Sequence, residues 1–340
     1  MIKPSSLGDI VHTLPAVAAI QAANPQAKLT WVVKPEWATL LRGNPDIAHV
    51  HLFPSAHLTG GPITEHLLPW LSRTRALRPD VAIDFQGLLR SALIGRISRA
   101  RVLYGMSDSR EGSRLFYNRI AQVNRGAHAV ERYLALAAFF GATITRPLRF
   151  PLPTGDPLPR FDDDPPFVLL HPFARGHGKS LGARVIEEFC ARSDPIRVVV
   201  VGRSSVRITA PDNCIDLTNH TTLLQLIWLI RAARWVISVD SGPMHIAAAI
   251  SSRVVSIHTW SDPRRVGPYN PDASVWKSGQ LMKVAELAQV GDFKKSRPFS
   301  RADVAPVAEL VQSRWNDWPN ETRRGVVAKP SPRGPDRPKT

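Results

Sequence analysis

Cysteine is nearly missing: the 340 residues hold two, Cys190 and Cys214. Their spacing fits neither a disulfide framework nor a thiolate metal site. Two buried free thiols in a reducing compartment are expected instead. Long apolar runs are missing too. The most apolar stretch, Leu223 to Ile230, is stopped by Arg231 and Arg234, so no membrane span is expected. The opening residues lack the extended apolar region of a signal peptide, which points to the cytoplasm. Familiar catalytic signatures are absent as well. There is no G-x-S-x-G elbow, no G-x-G-x-x-G fingerprint, no Walker loop and no H-E-x-x-H. His49, His51 and His57 cluster without ligand spacing and read as loop histidines.

The chain is 44% hydrophobic and 21% charged. That composition folds, and the length suits two domains rather than one. The formal net charge is +16, which favours an anionic partner: nucleic acid, a membrane surface or an acidic small molecule.

Short apolar runs alternate with helical patterns. Leu29 to Lys34 and Val81 to Asp84 read as strands. Ile10 to Ala23, Glu65 to Leu77, Leu88 to Ile97 and Ala129 to Phe140 read as helices. A stretch rich in proline and aspartate, Pro147 to Pro166, reads as a linker. Strands are then expected at Phe167 to His171, Ile196 to Val201, Trp235 to Val239 and Val254 to His258. Helices are expected at Ala183 to Ala191, Thr222 to Ala233, Pro243 to Ala249 and Ala302 to Trp315. This is α/β architecture: two parallel, doubly wound sheets covered by helices. The expected division is an N-terminal domain over 1–150, a linker over 151–166, a C-terminal domain over 167–318 and a basic, proline-broken tail over 319–340. Only Met1-Ile2-Lys3 precedes the first loop, too short a strand to complete a sheet.

Three loops sit where open α/β sheets bind ligands, outside strand carboxyl ends. In Lys3-Pro4-Ser5-Ser6-Leu7-Gly8-Asp9, small residues allow close approach and Asp9 could act as a base. Read locally, Ser6 or Asp9 is more simply a helix cap. In Asp240-Ser241-Gly242-Pro243-Met244-His245, a helix start offers free N–H groups to a diphosphate, although an ordinary capped helix reads the same way. In His171 to Leu181, glycines and cations, among them Lys179, interleave and could wrap phosphates or simply form a solvated loop. Between Arg90 and Arg125 lie eight arginines, opposed only by Asp108 and Glu111. The choice is between a solvated face and an anion-binding surface. Aromatics are sparse there (Tyr104, Phe116, Tyr117), which argues against a base-stacking nucleic-acid platform.

Together these segments resemble glycosyltransferase family 9, the bacterial lipopolysaccharide heptosyltransferases. Lys3 to Pro15 matches a basic residue, then x-[ST]-S-x-G-D and T-L-P. Asp240 to His245 matches D-[ST]-G-x-x-H. Asp84 to Ser91 matches D-x-Q-G-L-x-[RK]-S. Arg110-Glu111, Leu115 to Asn118 and His128 to Tyr133 are similar to the heptosyltransferase I branch. The family's K-x-W-P reads Lys179-Ser180-Leu181-Gly182 here, and the loop Gly202 to Arg207 holds no glutamate for the nucleotide.

The resemblance implies a GT-B fold, two Rossmann-like domains facing a central cleft. It implies inversion without a metal or other cofactor. The implied donor is ADP-L-glycero-β-D-manno-heptose, and the implied acceptor is the Kdo-bearing lipid A core. It makes Asp9 the catalytic base. Lys179, Asp240, Ser241, Gly242, Pro243 and His245 become donor residues; Ser5, Ser6, Gly8, Arg90, Arg110 and Arg114 become acceptor residues. The implied partners are a nucleotide sugar, an anionic glycolipid and the inner membrane surface rather than nucleic acid. The alternatives are a GT-B enzyme using a UDP or GDP sugar, an epimerase, or a degenerate binding protein with a nucleic-acid-binding tail.

Overall fold

The computed structural model describes residues 1–54, 63–161, 165–176, 178–291, 293 and 296–317. His57, His177 and the basic tail lie outside the described residues. The first half runs α1 (Leu7–Ala23), β1 (Thr30–Val33), β2 (His49–Leu52), α2 (Ile63–Ala76), β3 (Val81–Ile83), α3 (Leu89–Ile97), β4 (Val102–Met106), β5 (Arg119–Ala121) and α4 (Ala129–Phe139). A 3-10 turn, Ser113–Phe116, sits between β4 and β5. The second half runs β6 (Phe167–His171), α5 (Ala183–Ser193), β7 (Arg197–Val200), β8 (Cys214–Asp216), α6 (Leu223–Ala232), β9 (Trp235–Val239) and α7 (Gly242–Ile250). It ends with β10 (Val254–His258), α8 (Pro263–Val266), β11 (Ser274–Lys277), β12 (Gln280–Lys283) and α9 (Val304–Ser313).

The second half holds one sheet in the order β12-β11-β10-β9-β6-β7-β8, parallel except for β12. Every residue of β6, β9 and β10 is buried. Helices therefore cover both faces, and these strands read as unbroken apolar runs. The order in which strands are laid down reverses between β6 and β9, which run parallel. Their carboxyl ends carry the His171–Leu181 loop and the Asp240–His245 turn, at the switch point where such sheets take ligands.

The first half corrects one expectation. Met1-Ile2-Lys3 does complete a sheet, because it lies in the middle rather than at an edge. Ile2 bridges Val32 in β1 and Asp84 just beyond β3, both parallel. The Ile2 amide donates to Ile83 O at 2.9 Å, and the Val32 amide donates to Met1 O at 2.9 Å. One residue with ladder partners on both sides joins the β1-β2 pair to the β3-β4-β5 sheet. Ile2 is buried in the apolar cluster beneath α3. The loop carrying Asp9 thus starts from a central strand.

Two other readings change. His49 and His51 lie in β2, not in a loop, and His51 shares a 2.8 Å hydrogen bond with Thr74 Oγ1. The stretch read as a linker is packed: Phe150, Leu152 and Leu158 lie against the main core, and Phe161 is buried in it.

Candidate functional site

Ser6 caps α1 in an extended conformation, and Asp9 stands one turn in. Asp9 Oδ2 accepts from the Ser6 amide at 3.1 Å and from Ser6 Oγ at 2.8 Å. The local reading of Ser6 and Asp9 as a cap is therefore correct. The other oxygen shows that it is not the whole role. Oδ1 accepts from Tyr133 Oη on α4 at 3.2 Å and lies 3.7 Å from Lys3 Nζ. Lys3 is 2% exposed, donating to Phe85 O at 3.0 Å and to Tyr133 Oη at 2.8 Å. A buried ammonium and a phenol thus fix a carboxylate whose side chain stays 37% exposed.

The charge states follow from these neighbours. Burial pushes the Asp9 carboxyl up, but the Lys3 ammonium and the two Ser6 bonds outweigh it, leaving Asp9 below the ordinary carboxylate range. Burial, reinforced by the Asp9 charge, holds Tyr133 well above its ordinary value, so it remains a donor. Asp9 is an oriented, ionised carboxylate that stays partly exposed.

The second constellation forms at β9 and α7. Lys179 Nζ donates to Asp240 Oδ2 at 2.7 Å, and both side chains are largely buried. Burial pushes Asp240 up, but His258, Lys179 and His245 bring it below the ordinary value. Ser241 Oγ lies 3.2 Å from His171 Nδ1, which ties the turn to the β6 loop. Gly242 and Pro243 open α7; the proline has no N–H and the Met244 amide donates to Ser241 O at 3.1 Å, so the Gly242 amide and the helix's positive end face the turn. Lys179 also stands 4.4 Å over the ring of Trp260, an aromatic side chain 57% exposed.

The heads of α1 and α7 touch. A Cβ on Gly8 would lie 2.3 Å from His245 Cδ2, and one on Gly242 would lie 2.4 Å from Leu7 Cδ2. A Cβ at either position would meet the other helix's side chain, so each glycine lets that side chain pack directly on its backbone. His12 Nε2 and His245 Nδ1 share a hydrogen bond of 2.9 Å across this junction. The field at His245 carries contributions from both Asp240 and Asp9. The structure therefore brings Ser5, Ser6, Gly8 and Asp9 together with Ser241, Gly242, Pro243 and His245.

Asp84 explains the third motif. It is buried and accepts from the Gln86 and Gly87 amides, from Ser91 Oγ at 2.7 Å and from Tyr117 Oη at 2.8 Å. Burial pushes its carboxyl up against those bonds. The turn so formed sends Gln86 Oε1 to accept from the Ser5 amide at 3.3 Å. Ser5, Lys34, Gln86 and Arg90 line one small pocket beside Asp9's loop. Arg110 and Arg114 are exposed on the neighbouring 110–116 segment and do not line it. Among the described residues, no three His, Cys, Asp or Glu side chains are grouped to hold a metal ion.

Sequence reasoning missed Tyr133, His12, Gln86 and Trp260. The first three lie inside the quoted motifs, but their partners are 124, 233 and 81 residues away. Trp260 sits in no motif and had no signal.

Two Rossmann-like domains meeting at two helix heads, each carrying a ligand-type loop, define a glycosyltransferase of the GT-B fold. The chain belongs to glycosyltransferase family 9 (heptosyltransferase), whose family model matches residues 71–179 and 197–296. It is 27% identical over 293 residues to the lipopolysaccharide core heptosyltransferase OpsX of Haemophilus influenzae, covering 79% of this chain and 81% of that protein. It is 29% identical to lipopolysaccharide heptosyltransferase 1 of Pseudomonas aeruginosa, covering 79% and 80%. The solved structure of E. coli heptosyltransferase WaaC with ADP superposes with a TM-score of 0.71 at 23% identity, covering 92% of this chain and 98% of that one.

Proposed function

We propose that the chain moves heptose from ADP-L-glycero-β-D-manno-heptose to the Kdo of a lipid A inner core, with inversion and without a metal. The observation that carries this reading is the junction of α1 and α7. It holds an ionised, partly exposed Asp9 against a turn suited to a diphosphate. Asp9 takes the proton of the acceptor hydroxyl as that oxygen attacks the sugar's C1. The bond from C1 to the phosphate oxygen breaks, and ADP leaves with its electron pair. The positive end of α7 and the Lys179 ammonium stabilise the charge that develops on ADP. Asp240 holds Lys179 and sugar hydroxyls; Ser241, Gly242, Pro243 and His245 shape the donor seat. Ser5, Ser6 and Gly8 form the floor beneath the acceptor, and Arg90, Arg110 and Arg114 meet its carboxylates and phosphates.

Family membership and the similarity to lipopolysaccharide heptosyltransferases support the heptosyl assignment. The site of action is then the cytoplasmic face of the inner membrane, by peripheral contact. No described helix is long and apolar enough to cross a membrane. The test is transfer from ADP-heptose to Kdo–lipid A in the presence of a chelator, read by mass. The acceptor should gain one heptose, and Asp9→Asn should abolish the gain. No added mass with the intact chain would refute the reading.

A second reading keeps the fold and changes the nucleotide, because the loop Gly202 to Arg207 offers no carboxylate to a ribose. Titration with ADP, UDP and GDP separates the two. Tighter binding of UDP or GDP would replace the heptose assignment.

A further inference from the structure

Of the large apolar side chains described, Leu115 is the most exposed, at 87%. It belongs to the Ser113–Phe116 turn, which folds onto the first turn of α3. The Arg110 amide donates to Gly87 O at 2.8 Å, and the Leu89 amide donates to Glu111 Oε2 at 3.2 Å. On α3, Leu89 and Leu93 are 37% and 38% exposed. They stand one turn apart on one helix face, with Arg96 three residues further on that face. Arg90, Arg96 and Arg114 are all exposed, and none forms an ion pair with a described carboxylate. The two acids of the segment do little to neutralise them. Asp108 is turned inward onto Arg132, and Glu111 accepts from the head of α3.

We propose that this face, Leu89, Leu93 and Leu115 ringed by Arg90, Arg96 and Arg114, is the surface that docks the enzyme on an anionic lipid bilayer. Three projecting leucines inside a ring of arginines match the order of a bilayer surface: acyl chains below, phosphates above. The first turn of α3 belongs to this face and, through Arg90, to the pocket shared with Ser5. A docked enzyme therefore presents the Asp9 loop to a headgroup in the same plane. The proposal rests on the lipid-anchored acceptor of the preceding section and adds which surface meets the membrane.

The experiment is flotation of the full chain with vesicles of phosphatidylcholine alone or mixed with phosphatidylglycerol. The intact chain should float with the mixed vesicles and fall away as salt is raised. Leu93→Ser combined with Leu115→Ser should lower partitioning roughly tenfold or more. Arg96→Gln should lower it about fivefold and flatten the salt dependence. All these side chains are exposed, so circular dichroism should be unchanged. Transfer to a water-soluble, deacylated acceptor should keep its wild-type rate in the double-serine variant, while transfer to acceptor embedded in vesicles falls. Unchanged flotation of that variant would overturn the proposal. So would equal flotation on neutral vesicles, or a dimer of the intact chain that the double-serine variant converts to monomer. If the chain floats as expected but transfers to neither acceptor, the functional reading fails while the docking surface stands.

Discussion

Placing one methyl group at Gly8 should disturb the contact between the two domains. The new Cβ would lie 2.3 Å from His245 Cδ2 and 2.9 Å from its Nε2. Carbon contacts settle near 3.5–4.0 Å, so a gap of about 1 Å must open. If the imidazole swings aside, it gives up its 2.9 Å bond to His12. Both rings are buried, with His12 4% and His245 9% exposed, and an orphaned buried nitrogen costs about 1–3 kcal/mol. If α1 and α7 part instead, overpacking costs a similar 1–3 kcal/mol. Either route displaces Asp9 relative to the donor turn, and a shift near 1 Å can cost about 100-fold in rate. Gly8→Ala should therefore lower the melting temperature and cut kcat by one to two orders of magnitude, with little change in ADP affinity, because the α7 turn keeps its own sheet. Calorimetry, ADP titration and the transfer assay read the three quantities. Gly291→Ala is the control, since that glycine is exposed with nothing within 4 Å of its would-be Cβ. Wild-type stability and kcat in Gly8→Ala would show that the two helix heads are not in contact in solution.

Three further outcomes follow from the same geometry. Lys3→Met removes the ammonium that holds Asp9 below its ordinary range, so the acidic limb of the kcat/KM profile should move to higher pH. A fall in kcat with an unmoved limb would make Lys3 purely structural. Asp84→Asn replaces an acceptor of four bonds with a group whose NH2 meets donors. It should cost about 2–4 kcal/mol in urea unfolding, and a loss under 1 kcal/mol would refute that account. Stability should also fall in mild acid. Burial lowers His128, His171 and His258 from 6.5 to about 4 each. The unfolded chain therefore binds protons first, and their contribution is complete above pH 6.5 and lost as pH falls towards 4. By pH 5 the loss is roughly 2 kcal/mol per imidazole. A urea midpoint equal at pH 7 and pH 5 would contradict the buried neutral state.

Much of the second half was legible because its strands are buried on both faces. Phe167–His171, Trp235–Val239 and Val254–His258 coincide with the apolar runs that announce them. The first half was harder for a physical reason. β5 is three residues long and starts with Arg119, and β4 and β5 both lie within the arginine-rich stretch, so charge masks their pattern. Gly105 inside β4 looks like a breaker, yet Tyr117 carbons would stand 2.2–2.5 Å from any Cβ there. The glycine is present because a ring packs on the strand, which no local pattern reports. The short outer strands β8, β11 and β12 left no signal either, since three or four residues cannot show a period.

The opening loop shows where sequence reasoning stops. Locally, Ser6 and Asp9 are a capping pair, and the 2.8 and 3.1 Å bonds bear this out. A cap needs only one carboxylate oxygen and no buried cation. Here the second oxygen is held by Tyr133 and faced by a Lys3 ammonium that is 2% exposed. Burying a lysine is costly, and nothing in helix capping requires it. Its presence beside a partly exposed carboxylate is a demand on charge and orientation rather than on folding. That demand becomes visible only when residues 3, 9 and 133 are seen together. The short central strand at Ile2 is what brings Lys3 beneath the head of α1.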